Sequence, residues 1–546
     1  MRHSSIRTIT AVSCLLFGAA AWRLGPHSYS DFTAQAQTPE SVATPASSSV
    51  PRLQPVSAAL SPKLVSATVP TLQPAPDTQI YTAKRGEAIP TIAHRYLGQT
   101  SYLTSLQLAE AIRHINGDRT ANILKANENI VIPGILPAPI VEKTIPVPKD
   151  FEVRAIYLTG IMASSDHGLR IIRHWREVGG NAVVFDIKDS DGSVNIPFEH
   201  PLLGKHQVYI HDVPKFIHFL HSQNMHAIAR IAIFRDQRLV KEYPDLAVQS
   251  KKTGQPWREN GKLVWTDSSN PTVQDYNITL AKHVAQLGAD EIQFDYVRFP
   301  AEGDQKDASF VFQKGHPEAE QVSGSSNGPC GEGRRVRPAE AEQGGTSKDA
   351  AKADPACQPH TMQRSDVITA FLKKAYAEIH PTRALLSLDV FGVMAWQRPV
   401  DLSHTGQDIV GMAKYCDVLS PMIYPSHFFG MDKIANPGDA PEHFIGESMQ
   451  RFELITKDSG VVIRPWLQAF RWRTKTYSPE YIKVQVATAR QKGGIGFLFW
   501  NAANDYSKPY AAMPEMKAAN AKEKDKFFRG DELPTASVQA ALTPAR

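Results

Sequence analysis

Several features that would assign this chain to a familiar class are scarce or missing. Only four cysteines occur in 546 residues, too few for a disulfide framework, and no Cys and His spacing matches a structural zinc site. The net charge is only +5 and no long Lys/Arg run occurs, so nucleic acid is not expected as a partner. No G-x-G-x-x-G follows the first predicted strand, which argues against a dinucleotide-binding fold. These absences leave an ordinary globular protein, whose 42% hydrophobic residues suffice to form a core.

The N-terminus has the order of an export signal. Arg2, His3 and Arg7 precede an apolar run over residues 9–22. This run is shorter than the roughly 20 residues of a spanning helix, which favours a cleaved signal over a permanent anchor. Residues 1–30 are therefore predicted to be a signal peptide or N-terminal anchor. The chain is expected to be exported, and to be periplasmic, associated with the cell envelope or secreted.

The cysteines carry little further information. Cys14 lies in the predicted signal, where Ala11 is a poor start for a lipoprotein motif. Cys330 and Cys357 lie in one polar segment and could pair in an oxidising compartment. Cys416 lies in an apolar stretch and is predicted to belong to the core.

A small module is predicted near the N-terminus. Residues 31–78 are rich in Pro, Ser and Ala and form a predicted disordered linker. Residues 79–135 then give the order strand, helix, helix, strand. The segments 81–87, 92–96 and 130–133 resemble the opening, the first helix and the closing strand of a LysM module. The resemblance implies binding to peptidoglycan or another glycan; the alternative is a small spacer without a sugar groove.

A strand and helix alternation fills most of the remaining chain. After a Pro-rich linker at 136–150, residues 151–520 contain eight predicted apolar strands separated by helices. The strands are predicted over 153–158, 182–187, 226–234, 292–299, 384–391, 418–424, 461–467 and 495–500. This pattern predicts the α/β class, specifically a (β/α)₈ TIM barrel. Residues 302–364 are predicted to be a disordered insertion, and residues 521–546 a disordered tail.

Three aspartates are predicted to face the barrel interior. Alternation along the strands puts Asp186, Asp295 and Asp389 on the face opposite the helices, at or near the ends of strands two, four and five. Active sites of such barrels lie at the C-terminal strand ends. A buried carboxylate is costly unless it is paired, and hydrolysis of a glycosidic bond uses two of them. For Asp186 and Asp389 the alternative is that they cap the following loops or pair with Arg298, Arg230 or Lys188.

Other strand ends supply polar and aromatic groups suited to sugar binding. The acidic loop over residues 186–192 lacks the distal Glu of an EF-hand and is interpreted as a turn, so neither a metal nor a cofactor is predicted. The predicted substrate-binding residues are Tyr424, Arg298, Trp466, Gln468, Trp500 and Asn501.

Five segments, over 153–159, 182–189, 294–300, 419–425 and 496–500, resemble a bacterial family of glycoside-hydrolase barrels related to the α-amylase-like barrels. In related barrels a carboxylate that ends strand four is catalytic, which implies that role for Asp295. Many retaining barrels carry a nucleophile on strand seven, but here that strand ends at Gln468 without a carboxylate. The α-amylase-like arrangement implies Asp389 on strand five as the partner.

The sequence therefore predicts an exported glycosidase acting on an envelope or extracellular polysaccharide, with Asp295, Asp389 and Asp186 as catalytic candidates. The LysM-like module would hold the barrel near its substrate. No partner protein is inferred. The alternatives are a non-catalytic glycan-binding or scaffold barrel of the cell wall, and a polysaccharide deacetylase, which would release acetate.

Overall fold

A computed structural model describes residues 77–118, 120–314 and 362–518. The predicted signal or anchor, most of the linker at 31–78, the pair Cys330 and Cys357, most of the insertion and the tail lie outside the described residues. Across the described ranges, no helix has both the length and the apolar character needed to cross a membrane.

The N-terminal module has the order strand, helix, helix, strand. Its elements are β1 (Thr78–Thr82), α1 (Ile89–Tyr96), α2 (Ser105–Ile115) and β2 (Asn129–Pro133). The two strands pair antiparallel, with Thr78 opposite Pro133. Thr104 caps α2 by accepting from the Gln107 N–H. The apolar faces of both helices close on the strands, and the module has a core of its own.

Eight parallel strand positions close into a barrel. In chain order these strands are β3 (Val153–Leu158), β4 (Ala182–Lys188), β5 (His226–Ala232), β9 (Glu291–Asp295), β11 (Leu385–Phe391), β12 (Val418–Met422), β13 (Val462–Ile463) with β14 (Trp466–Gln468), and β15 (Gly496–Trp500). The circle is closed because β15 pairs with β3 and β11 pairs with both β9 and β12. The predicted (β/α)₈ barrel is thus confirmed. The seventh position is split at Pro465, whose nitrogen has no hydrogen to donate.

Helices cover the outside of the barrel. They are α3 (Gly160–Ala163), α4 (Asp166–Glu177), α5 (Val213–Ser222), α6 (Gln237–Glu242), α7 (Pro271–Gln286), α8 (Arg364–Ile379), α9 (Pro399–Thr405), α10 (Ile409–Met412), α11 (Pro441–Thr456), α12 (Pro479–Gln491) and α13 (Ser507–Ala518). Short strands in the connections are β6 (Gln249–Ser250), β7 (Arg258–Glu259), β8 (Leu263–Val264) and β10 (Ala308–Ser309).

Alternate strand residues serve two separate cores. On β4, Val183 and Phe185 point outward into the large core beneath the helices. Val184 points inward and joins a smaller cluster inside the barrel with Tyr157 and Trp466. A strand that is buried on both faces is therefore apolar at nearly every position of its sequence. An inward-facing carboxylate is an exception to this pattern.

The segment 136–150 packs against the barrel, although it was predicted to be a linker. Glu142 lies 2.7 Å from His218 and 3.2 Å from His221, and the backbone N–H of Ile145 donates to Asp290 over 2.7 Å. Burial alone would lower the pKa of His221, but the charges of Asp290 and Glu142 outweigh it and raise the pKa to about 9. These ionic contacts bind the segment to the N-terminal end of the barrel.

The module also contacts the barrel directly. Thr104 donates its hydroxyl to Asp166 at the start of α4 over 2.6 Å. Lys215 on α5 donates its ammonium group to the carbonyl of Leu97 over 3.0 Å. The module is therefore docked on the helical side of the barrel.

The first part of the predicted insertion is folded. Residues 302–314 form part of the fold: β10 pairs antiparallel with β6, and Phe310 is fully buried. The Trp257 indole donates to the carbonyl of Asp304 over 3.2 Å. The aromatic side chains Phe310 and Phe312 contribute buried area that the overall polar composition of this stretch conceals.

Candidate active site

One arginine links the predicted carboxylates at the C-terminal strand ends. Arg230, on β5, donates from Nη1 to Asp186 over 2.5 Å and from Nη2 to Asp295 over 2.6 Å. Its Nε lies 3.9 Å from Asp389. The side chains of Asp186, Arg230 and Asp389 are almost fully buried, whereas that of Asp295 is 11% exposed. Asp295 is thus the carboxylate nearest the solvent at the barrel mouth.

The backbone turns sharply after Asp295. The strand was predicted to continue to Phe299, but β9 ends at Asp295, and Tyr296 adopts a left-handed conformation with φ of 53°. The Tyr296 N–H donates to Asp295 over 2.6 Å. Left-handed backbone is costly for a residue with a side chain, and such residues cluster at functional sites.

Asp389 is held by an indole. Trp466, on β14, donates its Nε1–H to Asp389 over 2.7 Å. Burial, and then the neighbouring charge of Asp295, raise the pKa of Asp389 well above its usual value. The protonated form of this carboxyl is therefore favoured.

Asp186 is a second carboxyl whose protonated form is favoured by burial. Burial raises the pKa of Asp186 to about 7, against the opposing effect of Arg230. The hydroxyl of Tyr157 also hydrogen-bonds Asp186. For Arg230, burial favours the neutral form, but the charges of Asp186 and Asp295 outweigh it and hold its pKa well above the usual value. The guanidinium is thus a fixed positive charge in the centre of the cluster.

Aromatic rings form one wall of the mouth. Trp500 stacks on Tyr157 with ring centroids 4.1 Å apart, and the Arg230 guanidinium lies 5.3 Å from the Trp500 ring. Trp466 meets Trp500 edge to face at 5.7 Å. Tyr424 is mostly buried in the same inner cluster. Trp466, Trp500 and Tyr424, which were predicted to bind substrate, therefore lie together beside the carboxylates.

Three other predicted substrate-binding residues are engaged within the protein. Arg298 lies 4.5 Å from the rings of both Trp265 and Phe391 and donates to the carbonyl of Phe299. Gln468 and Asn501 are buried: Gln468 hydrogen-bonds the loop after the seventh strand, and Asn501 hydrogen-bonds the loops after the seventh and eighth strands. These residues shape the mouth by holding its loops in place.

Gln468 connects two of these loops. Its Oε1 accepts from the Ser426 N–H over 3.2 Å, and its Nε2 donates to the carbonyl of Phe470 and to Thr474. Ser426 follows the sixth strand, and Phe470 and Thr474 follow the seventh. The amide thereby fixes these two connections relative to each other.

Two central residues were missed as site residues. Arg230 was considered only as a partner for an aspartate, and Tyr157 was treated as part of an apolar strand. The available signal was a cationic residue within the apolar stretch 226–234, since a buried Arg requires carboxylate partners.

Among residues 77–118, 120–314 and 362–518, no group of three or more His, Cys, Asp and Glu side chains could hold a metal ion. The Arg230 guanidinium lies between the carboxylates of the candidate site, where it contributes fixed positive charge.

Comparisons with known proteins give a family match and a set of similar solved structures. A family model described as "Putative glycosyl hydrolase domain" matches residues 155–506, which include every strand-end residue described above. A comparison with curated proteins gives no match.

The solved structures that are similar to parts of the chain include the following three. A hypothetical protein from Ruminiclostridium thermocellum ATCC 27405 is 28% identical over 43% of this chain and 97% of that chain, with a TM-score of 0.31. The PgaB (BpsB) glycoside hydrolase domain from Bordetella bronchiseptica is 13% identical over 66% of this chain and 98% of that chain, with a TM-score of 0.45. The spore cortex-lytic enzyme SleL of Bacillus megaterium QM B1551 is 12% identical over 80% of this chain and 85% of that chain, with a TM-score of 0.35.

Proposed function

The chain belongs to the glycosyl hydrolase family matched over residues 155–506, and from this premise we propose that it hydrolyses glycosidic bonds in a polysaccharide of the cell envelope or the extracellular space. The observation that carries the proposal is the contact of Arg230 with carboxylates from three different strands at the barrel mouth. Convergence of side chains from several strand ends is how such barrels build active sites.

Asp295 and Asp389 have different catalytic roles in this proposal. Asp295, held by the Arg230 guanidinium, is the nucleophile or the electrostatic stabiliser of the oxocarbenium-like transition state. Asp389 is the general acid that protonates the leaving oxygen, a role supported by the upward shift of its pKa. Asp186 supports the pair through Arg230. The identity of the reacting carboxylates rests on their position and environment.

Asp295 and Asp389 lie close to the same guanidinium. A single guanidinium contacts both Asp295 and Asp389, at 2.6 Å and 3.9 Å. Glycosidase carboxyl pairs lie about 5 to 9.5 Å apart, the shorter distances giving retention and the longer inversion. The shared guanidinium keeps the two carboxylates close enough for the charge of Asp295 to act on Asp389, and measuring their separation would predict the stereochemical outcome.

The aromatic wall provides the substrate surface in this proposal. Trp500 and Tyr157 present a stacked pair beside Arg230, and Tyr424 lies on the same inner face. Faces of sugar rings stack on such aromatic groups, while the buried polar groups fix orientation. Arg298, Gln468 and Asn501 act in support by holding the loops.

The N-terminal module is proposed to bind glycan as a LysM-like domain, which keeps the barrel near an insoluble or polymeric substrate. Its order of strand, helix, helix, strand supports this assignment. We also propose that the chain is exported, because charged residues precede an apolar run near the N-terminus. Peptidoglycan is one candidate substrate.

A non-catalytic glycan-binding barrel is the second candidate. It is favoured by one observation: the side chains of Asp186 and Asp389 are 0% and 1% exposed and hydrogen-bond protein donors. Carboxylates of this kind also occur in buried structural networks.

Incubation of the full chain with purified wall and capsule glycans distinguishes the candidates. A hydrolase releases new reducing ends, and Asp295→Asn reduces their release by roughly three orders of magnitude. A binding barrel retains glycans without producing reducing ends in either form. Release of acetate without chain shortening identifies a deacetylase instead.

A further inference from the structure

An arginine held between two aromatic rings lies beside the mouth. The guanidinium of Arg473 is 3.8 Å from the ring centroid of Phe429 and 4.6 Å from that of Trp472. Phe429 follows the sixth barrel strand, whereas Trp472 and Arg473 follow the seventh. We call Phe429, Trp472 and Arg473 the arginine platform. Both rings are partly exposed and Arg473 is exposed, so the platform is accessible to a ligand.

The platform continues the wall of the candidate active site. The imidazole of His427 lies 4.8 Å from the Trp472 ring and 5.3 Å from the ring of Tyr424. Tyr424 in turn belongs to the inner cluster that contains Trp466. A bound oligosaccharide could therefore extend from the carboxylates to the platform along one aromatic surface.

The backbone holds Arg473 in an unfavourable conformation. Its φ is 49°, in the left-handed region that side chains other than glycine rarely adopt. Gly438 makes room for it, because a Cβ at position 438 would lie 2.2 Å from the carbonyl oxygen of Arg473. Gln468 ties the two loops of the platform together. The guanidinium is thus positioned in advance, which reduces the entropy cost of binding.

The charge of Arg473 is not neutralised by a neighbour in the described part of the chain. There, no ion pair within 4.0 Å involves Arg473, and its guanidinium lies over two ring faces. The nearby acidic residue of this region, Asp439, accepts instead from the backbone N–H groups of Lys475 and Thr476. A guanidinium stacked on its faces keeps its edge donors available, and their planar fork matches a carboxylate.

We propose that the arginine platform is a sugar subsite that recognises the carboxylate of an acidic sugar, with the sugar ring against Trp472 and the carboxylate on Arg473. This assignment names the substrate class of the proposed hydrolase and rests on that function. The polysaccharide it takes is therefore one that contains uronic acids or other carboxylated sugars.

Calorimetric titration of the full chain tests the subsite. The probes are oligogalacturonate, oligoglucuronate and oligomannuronate, each compared with its carboxyl-reduced neutral counterpart and with a sulfated form of that counterpart. We expect at least one uronate to bind about tenfold more tightly than both of its partners. Arg473→Gln should remove this preference. Arg473→Lys keeps the charge but loses the planar fork, and it should lose most of the preference.

Arg471 provides the matched control. It is exposed, lies two residues away and loses the same charge in Arg471→Gln. This variant should keep the preference within about twofold, because an exposed charge that makes no fixed contact contributes little. Thermal unfolding of each variant verifies that it remains folded. Equal losses in Arg471→Gln and Arg473→Gln would indicate diffuse charge attraction and overturn the proposal.

Two further outcomes also overturn it: no uronate is preferred over its neutral counterpart, or sulfated and carboxylated probes bind equally. Reducing ends are measured in the same samples. Hydrolysis of neutral chains without a carboxylate preference contradicts the subsite but leaves the hydrolase standing. A carboxylate preference without hydrolysis of any probe supports the subsite and contradicts the hydrolase.

Discussion

The indole of Trp466 donates a hydrogen bond to Asp389 over 2.7 Å. The seventh barrel position, where many retaining barrels carry a nucleophile, thus supplies a donor to the carboxylate of strand five. This bond stabilises the charged form of Asp389 against burial, which favours the protonated form. The acidity of the proposed general acid is therefore controlled from a neighbouring strand.

Trp466→Phe should shift the pH dependence of hydrolysis. Without the indole donor, the pKa of Asp389 rises further, and the basic limb of the kcat/KM profile moves upward by about one pH unit. The measurement is kcat/KM from pH 4 to 10. Trp265→Phe is the control, since Trp265 donates to Glu259 instead of Asp389. An unchanged basic limb in Trp466→Phe would argue against Asp389 as the acid.

Asp295→Asn should reduce hydrolysis by roughly three orders of magnitude, because the amide can neither attack the sugar nor stabilise positive charge. Asp505→Asn serves as the control: this carboxylate also follows a barrel strand, but it is exposed and caps the backbone of Ser507. It should retain nearly full activity. Loss of activity in both variants to the same degree would refute the assignment.

Asp389→Asn should show a dependence on the leaving group. A general acid matters less when the leaving group departs without a proton, so aryl glycosides with acidic phenols should be cleaved far better than natural chains by this variant. Comparison of kcat for both substrate types in the wild type and in Asp389→Asn measures the effect. An equal loss on both types would point away from acid catalysis.

Arg230→Gln should destabilise the fold by about 3–5 kcal/mol at neutral pH, because buried carboxylates lose their common partner. Urea unfolding measures this change. Arg464→Gln is a matched buried variant: Arg464 pairs with Glu291 at 2.7 Å on the opposite face of the barrel. It should cost similar stability but lower kcat at a permissive temperature far less than Arg230→Gln, because Glu291 acts on Asp389 only through its charge. A similar loss of kcat in both variants would remove Arg230 from the site.

Asp186 should contribute a measurable slope to stability against pH. Its folded pKa of about 7 lies above the unfolded value of 3.8, so the folded state binds the extra proton. The contribution of Asp186 to the free energy of unfolding is fully present below the unfolded pKa. It is lost as the pH rises from about 4 through 7, by up to about 1.4 kcal/mol per pH unit. Asp186→Asn should flatten the curve of unfolding free energy over this window. Identical slopes would show that Asp186 ionises as readily in the folded chain as in the unfolded one.

The sequence predicted the barrel because its strands are apolar on both faces and alternate with helices. Period-two alternation also identified Asp186, Asp295 and Asp389 as inward-facing, and the structure places all three around Arg230. Their chemical roles stay predictions. Pairing with Arg230 was one alternative for Asp186, and Asp186 does contact Arg230; such a contact is compatible with an active site.

Other features depend on tertiary contacts that local patterns do not contain. β9 ends where Tyr296 adopts a left-handed conformation. The apolar run 292–299 contains no residue type that predicts this turn. Gln468 and Asn501 were assigned to substrate because polar residues at strand ends often face the mouth, but they bond loops whose course the sequence does not reveal. The segment 136–150 resembles a free linker in composition, although its single Glu142 meets two histidines far away in the chain.

That attachment has a consequence for the proposed glycan-binding role of the module. A flexible tether samples many separations, whereas a module bonded through Thr104 and Lys215, and continued by a segment bonded through Glu142, keeps one separation. A glycan held by the module would then reach the mouth at a set number of sugar units from its point of attachment. The protein would act as a ruler, and the lengths of its products would record the distance.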